Sequence, residues 1–123
     1  MIRGFRGATT VTKNEEEQMM TQTKRLVLEM AKQNQIRPEH ISHVFFTVTD
    51  DLNAAFPAKV ARQIDGWKYV PVMCMREIDV PGSLPLCIRV IIVAETGLEQ
   101  DEIKHIFLND AVKLRPDLVQ ERR

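Results

Sequence analysis

Two strand-like runs in the chain carry apolar side chains on both of their faces. The first, His43 to Thr49, reads HVFFTVT, and the second, Leu86 to Glu95, reads LCIRVIIVAE. Successive side chains of a strand point to opposite faces of the sheet, so both faces of these strands must be shielded from water by other parts of the protein or by another chain. The sequence therefore predicts a packed central sheet, and it leaves open an oligomer that buries any apolar surface left over.

A long helix is predicted between the first strand and the second. The segment from Ile2 to Thr12 is rich in β-branched residues and glycine, which favours a strand. Asn14 is followed by three glutamates, a pattern typical of an N-cap and an acidic first turn. One face at helical spacing then runs from Met19 to Ala31 and includes Leu26 and Met30, and Asn34 before Pro38 marks the end of the helix.

The remaining segments alternate between short helices and short strands. Pro57 is suited to the first position of a short amphipathic helix, which stops at Asp65-Gly66. The predicted order is β-α-β-α-β-β, a short helix and a last strand, with no repeat or flexible linker. This order predicts one domain over residues 1–123, of the α/β (α+β) class, with a mixed sheet and helices on one face. The later strands are predicted at Tyr69 to Met75, Leu86 to Glu95 and His105 to Leu108, with a short acidic turn at Glu99 to Ile103.

Charge and hydropathy argue against several classes of partner. Seventeen basic and seventeen acidic side chains cancel, so no net positive field attracts nucleic acid or an anionic membrane. The longest apolar stretch, around Val90 to Ala94, is much shorter than the ~20 residues that span a bilayer. The first residues, MIRGFRGA, contain arginines and glycines where a secretory signal needs an apolar run. We therefore expect a cytoplasmic protein.

The cysteines and histidines do not form a pattern typical of a disulfide framework or a metal site. Cys74 and Cys87 are too far apart for a CxxC pair, and we interpret both as thiols. The three histidines, His40, His43 and His105, belong to no HExxH or cysteine-rich motif. No metal site is predicted.

Two arginines occupy strand positions whose side chains normally pack against apolar residues, away from water. Arg6 shares a face with Ile2, Gly4 and Ala8, all small or apolar. Arg89 likewise lies on a face with Cys87, Ile91 and Val93, so its charge should be partly desolvated. Such an arginine costs several kcal/mol unless an anion satisfies its guanidinium. Two of them indicate a site for an anionic ligand.

An alternative interpretation requires no ligand. Each arginine can pair with a nearby acid, or bury only its stem while the charge reaches solvent. Glu77 can lie in a solvated loop, and Cys74 and Phe56 can be ordinary core residues. Arg62, one helical turn from Lys59, fits a solvated face. The residues alone therefore predict no more than a pocket for a small anion.

Longer sequence blocks add a resemblance to a known family. The chain carries RGFRGATTV near its start, DLNAAFPAKVARQIDGWKYVPV in the middle, then CMREIDVPGSLPLCIRV, and LRPDL near its end. With these four blocks in this order, it resembles the small monofunctional chorismate mutases of the type found in bacilli. The resemblance runs from the first strand almost to the C-terminus.

The resemblance implies an assembly and a reaction. The assembly is a homotrimer in which sheets of three subunits form a pseudo-α/β-barrel, with active sites at the subunit interfaces. The reaction is the intramolecular rearrangement of chorismate to prephenate, on the route to phenylalanine and tyrosine. It requires no cofactor and forms no bond to the enzyme. The expected partners are therefore the small substrate and other copies of this chain, with no nucleic acid and no membrane.

The resemblance also implies roles for individual residues. Arg89 contacts the ether oxygen and a substrate carboxylate, and Arg6 clamps the carboxylate of the enolpyruvyl side chain. Glu77 accepts a hydrogen bond from the ring hydroxyl. The other residues expected at the substrate are Phe56, Ala58, Lys59, Arg62, Val72, Met73, Cys74, Met75, Arg76, Phe107, Leu114 and Arg115.

Two features fit the family pattern poorly. Strict strand alternation puts Cys74 and Glu77 on opposite faces, so a shared pocket predicts a bend near Met75. The family usually has a tyrosine where this chain has Phe107, and the hydroxyl of that tyrosine helps to bind a carboxylate. We therefore expect weaker substrate binding here, with the chemistry retained through Arg89.

Two other functions remain open. The chain can be a non-catalytic trimeric module that binds a small carboxylate, although such a module has no evident need for Glu77 beside Arg6 and Arg89. It can also be a small enamine- or imine-processing hydrolase of related trimeric shape, but that class lacks the sequence blocks given above.

Overall fold

A five-stranded mixed sheet organises the computed structural model, which describes residues 1–114. The strand order is β3-β2-β4-β1-β5. Strand β4 is antiparallel to both β1 and β2, while β3 pairs in parallel with β2 and β5 in parallel with β1. The sheet therefore has β3 and β5 as its edges. The elements are β1 (Ile2–Thr10), α1 (Glu16–Asn34), β2 (Ile41–Val48), β3 (Val72–Arg76), β4 (Cys87–Glu95) and β5 (Ile106–Phe107).

Helix α1 covers one face of the sheet. Its apolar stripe includes Leu26 and Met30, both fully buried against Phe5, Phe46 and Ile92 of the central strands. A glycine in β1 permits this close approach: a Cβ at Gly7 would overlap the sulfur of Met30 and lie 3.1 Å from Leu26 Cδ1. The 3₁₀ helix Pro57–Gln63 packs on the same side through Val60. The predicted fold class, with helices on one face, is confirmed.

The ends of α1 show where local pattern and tertiary structure differ. The helix ends at Asn34 as predicted, and Gln35 follows in the left-handed conformation (φ 50°). Its N-cap is Glu15, not the predicted Asn14, and no side chain caps the helix there. The Asn14 side chain instead accepts hydrogen bonds from the backbone N–H groups of Asn53 and Ala54, each at 3.0 Å. A long-range contact has displaced the local cap.

The opposite side of the sheet, here called the open face, carries the second set of apolar strand residues. It includes Phe45 of β2 and Ile91 and Val93 of β4, all half-buried. The β3 residues Met73 and Met75 lie on the same face by register, with exposed fractions of 59% and 41%. The predicted two-sided apolar character of β2 and β4 is therefore confirmed.

One end of the open face is covered. Phe107 packs there with Ala8, Cys87 and Ala111, and Leu114 lies against this cluster. Among residues 1–114, no helix is both long and apolar enough to cross a bilayer.

Candidate active site

Arg89 lies near the covered end of the open face. In β4 it is opposite Ala8 of β1 on one side and Thr47 of β2 on the other. Its side chain retains 35% of its surface exposed. The prediction of a partly desolvated arginine is therefore confirmed.

A carboxylate lies beside this arginine. Oε2 of Glu77 is 3.3 Å from Arg89 Nε, and the Glu77 side chain is 23% exposed. Nε itself is inaccessible to solvent and makes no hydrogen bond to any residue between 1 and 114. The contact is therefore an ion pair with poor hydrogen-bond geometry, and the guanidinium still has donor capacity to use. The nearby acid that the alternative interpretation allows is therefore present beside Arg89, and it does not use all of the donors of the guanidinium.

Arg6 is on the same face as Arg89, on the neighbouring strand. It is opposite Ile91, so it lies diagonally from Arg89, a relation that corresponds to about 7–8 Å in a sheet. Its backbone N–H donates to His105 Nδ1 at 2.9 Å. Two arginines and one carboxylate thus share one region of the sheet.

The predicted residues near the C-terminus border this region. Phe107 is opposite Ala8 in the β1–β5 pair, and Phe107 is only 5% exposed. Leu114 is half-buried next to it. Arg115 lies outside the described residues. The arginine region defined by Arg6, Glu77, Arg89, Phe107 and Leu114 is hereafter called the arginine group.

The other predicted site residues lie around the edge strand β3. A cavity of about 850 Å³ opens between this strand and the 3₁₀ helix. A second one, of about 540 Å³, adjoins it and is lined by Met75 and Arg76. The Ala58 backbone N–H donates to Cys74 Sγ at 3.4 Å and joins the helix to the strand. The predicted residues that line the first cavity, hereafter the edge group, are Phe56, Ala58, Lys59, Arg62, Val72, Met73 and Cys74.

The predicted bend near Met75 is wrong. β3 keeps its register with β2 from Val72 to Arg76, and the Glu77 N–H continues the pattern by donating to Val48 O at 2.9 Å. Because alternation persists, Cys74 faces the helix side while Glu77 reaches the open face. The two residues therefore belong to different sides of one strand edge.

This separation determines what a single chain offers. The arginine group lies on the open face, whereas the edge group surrounds a cavity at the outer edge of β3, with Val72 and Cys74 on the helix side and only Met73 on the open face by register. In the single chain most of the predicted residues therefore lie in two separate groups. Within the edge group, Phe56 (71% exposed) and Met73 (59% exposed) present apolar surface to solvent. Surface of this kind is typical of a contact with another chain.

The two cysteines are unpaired thiols, as interpreted from the sequence. Burial raises the pKa of Cys74, although the hydrogen bond from Ala58 opposes this effect. Burial also raises the pKa of Cys87, with the neighbouring Arg89 charge acting in the other direction. Both groups are therefore protonated at neutral pH and add no negative charge to the site.

Comparison with protein families assigns the chain to one of them. A sequence model described as chorismate mutase type I matches residues 2–118. The chain belongs to this family. The resemblance inferred from the four sequence blocks is therefore confirmed, together with the isomerase class that it implies.

Individual relatives cover nearly the whole chain. The protein named chorismate mutase AroH of Bacillus subtilis is 48% identical over 118 residues, which are 96% of this chain and 93% of that protein. The protein of the same name from Thermus thermophilus is 48% identical over 119 residues, 96% and 97% of the two chains. A solved chorismate mutase from Clostridium thermocellum superposes with a TM-score of 0.86 at 47% identity, covering 89% of this chain and 96% of that one.

One polar residue of the site was not found from the sequence. The Thr47 hydroxyl donates to Glu77 Oε2 at 2.6 Å. Period-two alternation puts Thr47 on the face of Phe45, but its partner is thirty residues away. Only the register of β2 against β3 and β4 reveals the contact.

Proposed function

We propose that this chain converts chorismate to prephenate, and that Arg89 with its partner Glu77 forms the chemical centre. The observation that carries the proposal is the half-buried Arg89, whose Nε lies 3.3 Å from a carboxylate oxygen without a hydrogen bond. Family membership supplies the substrate. The arginine supplies a positive charge in a partly dry position, where it interacts most strongly with an anion.

The reaction needs charge complementarity and a fixed substrate shape. In one intramolecular step the ether C–O bond breaks while a C–C bond forms, and negative charge develops on the ether oxygen. Arg89 stabilises that charge as it grows, which is the kind of interaction that lowers a barrier. Arg6 holds a substrate carboxylate, and Glu77 accepts a hydrogen bond from the ring hydroxyl. These contacts select the chair-like conformation.

The energies are sufficient for an enzyme without covalent catalysis. A rate gain of about 10⁶ requires about 8 kcal/mol. One preorganised donor at a developing oxyanion typically supplies about 3–4 kcal/mol, and holding a reactive conformation can supply several more. No cofactor is needed in this scheme.

The charges of the arginine group do not balance a dianion alone. Arg6 and Arg89 are positive and Glu77 is negative, which leaves one excess positive charge against two substrate carboxylates. Lys59 and Arg62 of the edge group can supply the remainder. Lys59 Nζ lies 2.7 Å from Glu16 Oε2, and both side chains of this ion pair are exposed. An exposed ion pair contributes little free energy, so Lys59 can exchange Glu16 for a substrate carboxylate at small cost.

We infer that each active site combines the arginine group of one copy with the edge group of the next. The support is the separation of the two groups in the single chain, together with exposed Met73 and Met75 on β3, an edge strand that pairs only with β2 among the described residues. The open face gives further support, because the apolar side chains of Phe45 and Ile91 are only half-buried there and another copy of the chain can bury them fully. The family resemblance supplies the number of copies, a trimer. Arg115 is proposed near the mouth of this shared site.

The chain is further proposed to act as one catalytic domain in the cytoplasm. Support for one domain comes from the sheet, which pairs β1 near the start with β5 near the end. Support for a reducing compartment comes from two free cysteines.

A complementation experiment tests the shared site. Purified Arg89→Ala and Lys59→Ala variants are each expected to lose most activity, since each damages one half-site. The two variants are then unfolded together and refolded in equal amounts. In randomly assembled trimers each site takes its two halves from two different chains across a heterologous interface, and each half is intact in one of the two variants. About a quarter of the sites therefore receive both intact halves. Light scattering should give three times the 14.2 kDa chain mass.

The control is each variant refolded alone. Recovery of activity only in the mixture supports a site built from two copies. If the mixture stays inactive while trimers form, each site lies within a single chain and the shared arrangement is wrong. A monomeric wild-type protein that retains full activity would contradict it as well.

A further inference from the structure

Thr47 holds the carboxylate that faces Arg89. It is half-buried near the end of β2, directly opposite Arg89 in β4. Its hydroxyl donates to Glu77 Oε2 at 2.6 Å, and the same oxygen is 3.3 Å from Arg89 Nε. A short hydrogen bond to an ionised acceptor belongs to the stronger class. One oxygen of Glu77 is therefore fixed from two sides.

The backbone of β2 holds Glu77 as well. The Glu77 N–H donates to Val48 O at 2.9 Å, although β3 has ended one residue earlier. Neighbouring residues of β2 thus fix both the main chain and the side chain of Glu77. The second carboxylate oxygen, Oε1, makes no hydrogen bond to another residue in the described part of the chain, so it retains its acceptor capacity for a ligand.

We propose that Thr47 is a positioning residue: its hydroxyl fixes Oε2 of Glu77 beside Arg89 and leaves Oε1 to accept the substrate hydroxyl. The inference rests on the proposed function. Thr47 itself does not touch the substrate in this arrangement. It acts through Glu77, and through Glu77 on the orientation of the Arg89 guanidinium.

Loss of the hydroxyl has a defined physical consequence. A long glutamate side chain has several rotamers, and an unanchored one loses entropy when a ligand orders it. Without Thr47, the carboxylate can also turn fully onto Arg89 and form a better ion pair. Both groups are then engaged with each other instead of the substrate. The transition state suffers most, because its developing charge relies on Arg89.

The variants Thr47→Val and Thr47→Ser separate the hydroxyl from the shape of the side chain. Valine keeps the β-branched shape but cannot donate, and we expect kcat/KM to fall about 10- to 100-fold, the range for a hydrogen bond to a charged group. Most of this loss should appear in kcat. Serine keeps the donor and should retain activity within about threefold of wild type.

Thr23→Val provides a matched control. Thr23 is fully buried in α1, and its hydroxyl has no hydrogen-bond partner among the described residues. The same substitution at this position removes a hydroxyl that makes no hydrogen bond to a described residue and positions no other side chain, so kcat and KM should stay unchanged. Thermal unfolding of each variant shows whether it is folded at the assay temperature.

A double-mutant cycle tests whether Thr47 acts through Glu77. In a Glu77→Gln background, Thr47→Val should cause little further loss, because the carboxylate it positions has gone. Equal losses in both backgrounds, or no rescue by Thr47→Ser, would overturn the positioning role. An active wild type with an unimpaired, folded Thr47→Val variant would overturn it too. An inactive wild type would instead refute the proposed function.

Discussion

Replacing Phe107 with tyrosine tests whether this site lacks the hydrogen-bond donor that the family resemblance leads us to expect at this position. Phe107 lies on the open face, opposite Ala8, which in turn is opposite Arg89. It is thus two strands from Arg89, about 10 Å at the usual strand spacing of about 4.8 Å. A carboxylate bound between the two positions is within reach of a hydroxyl on the ring.

The expected size of the effect follows from the bond that is gained. A hydrogen bond to a charged acceptor contributes about 1.5–3 kcal/mol, which lowers KM by about 10- to 100-fold. Because the ring is only 5% exposed in the free chain, a hydroxyl without a partner there costs about 1–3 kcal/mol. Phe107→Tyr should therefore bind substrate more tightly and unfold at a lower temperature in its absence.

The assay is steady-state conversion of chorismate over a range of concentrations, with thermal unfolding measured in parallel. A lower KM with kcat nearly unchanged is the expected result. An unchanged KM in a folded variant would refute the reasoning, since it would mean that position 107 does not approach a substrate carboxylate. Phe107→Leu, which adds no donor, should not lower KM.

Three further predictions concern packing and ionisation. Gly7→Ala should lower the free energy of unfolding by about 1–3 kcal/mol, because the added methyl overlaps Met30; a urea titration with an unchanged midpoint would contradict this. Thr23→Val should raise that free energy by about 1 kcal/mol, because it removes a buried hydroxyl without a partner, and a destabilised variant would contradict the assignment. Burial raises the pKa of Cys87 above its ordinary value of 9.0, so the unfolded chain loses the thiol proton first. Stability should therefore fall as the pH rises above about 9, and less so in Cys87→Ala; equal pH dependence in both proteins would show that Cys87 is not responsible.

Local pattern was sufficient to predict most of the fold. The helical stripe that includes Leu26 and Met30 predicted α1 to its last residue, because an amphipathic periodicity of this length has few other solutions. Period-two alternation likewise placed Arg6 and Arg89 correctly on apolar strand faces. The N-cap failed because the Asn14 side chain bonds to residues almost forty positions away, a competition that no local rule contains.

The site itself depends on contacts between distant segments. Sequence alone does not show that β1 lies beside β4, which brings Arg6 and Arg89 together. It does not show that Thr47 meets Glu77 either. The predicted bend near Met75 came from the assumption that Cys74 and Glu77 share a pocket within one chain. Regular strand geometry persists instead, and it separates them onto different sides of β3.

The central claim is tested most directly by following the loss of chorismate absorbance with the purified wild-type protein in metal-free buffer, beside the Arg89→Ala variant. The account predicts turnover by the wild type, and a loss of at least about a hundredfold in kcat for a folded Arg89→Ala variant. Absence of turnover with folded wild-type protein, or full activity without Arg89, would contradict it.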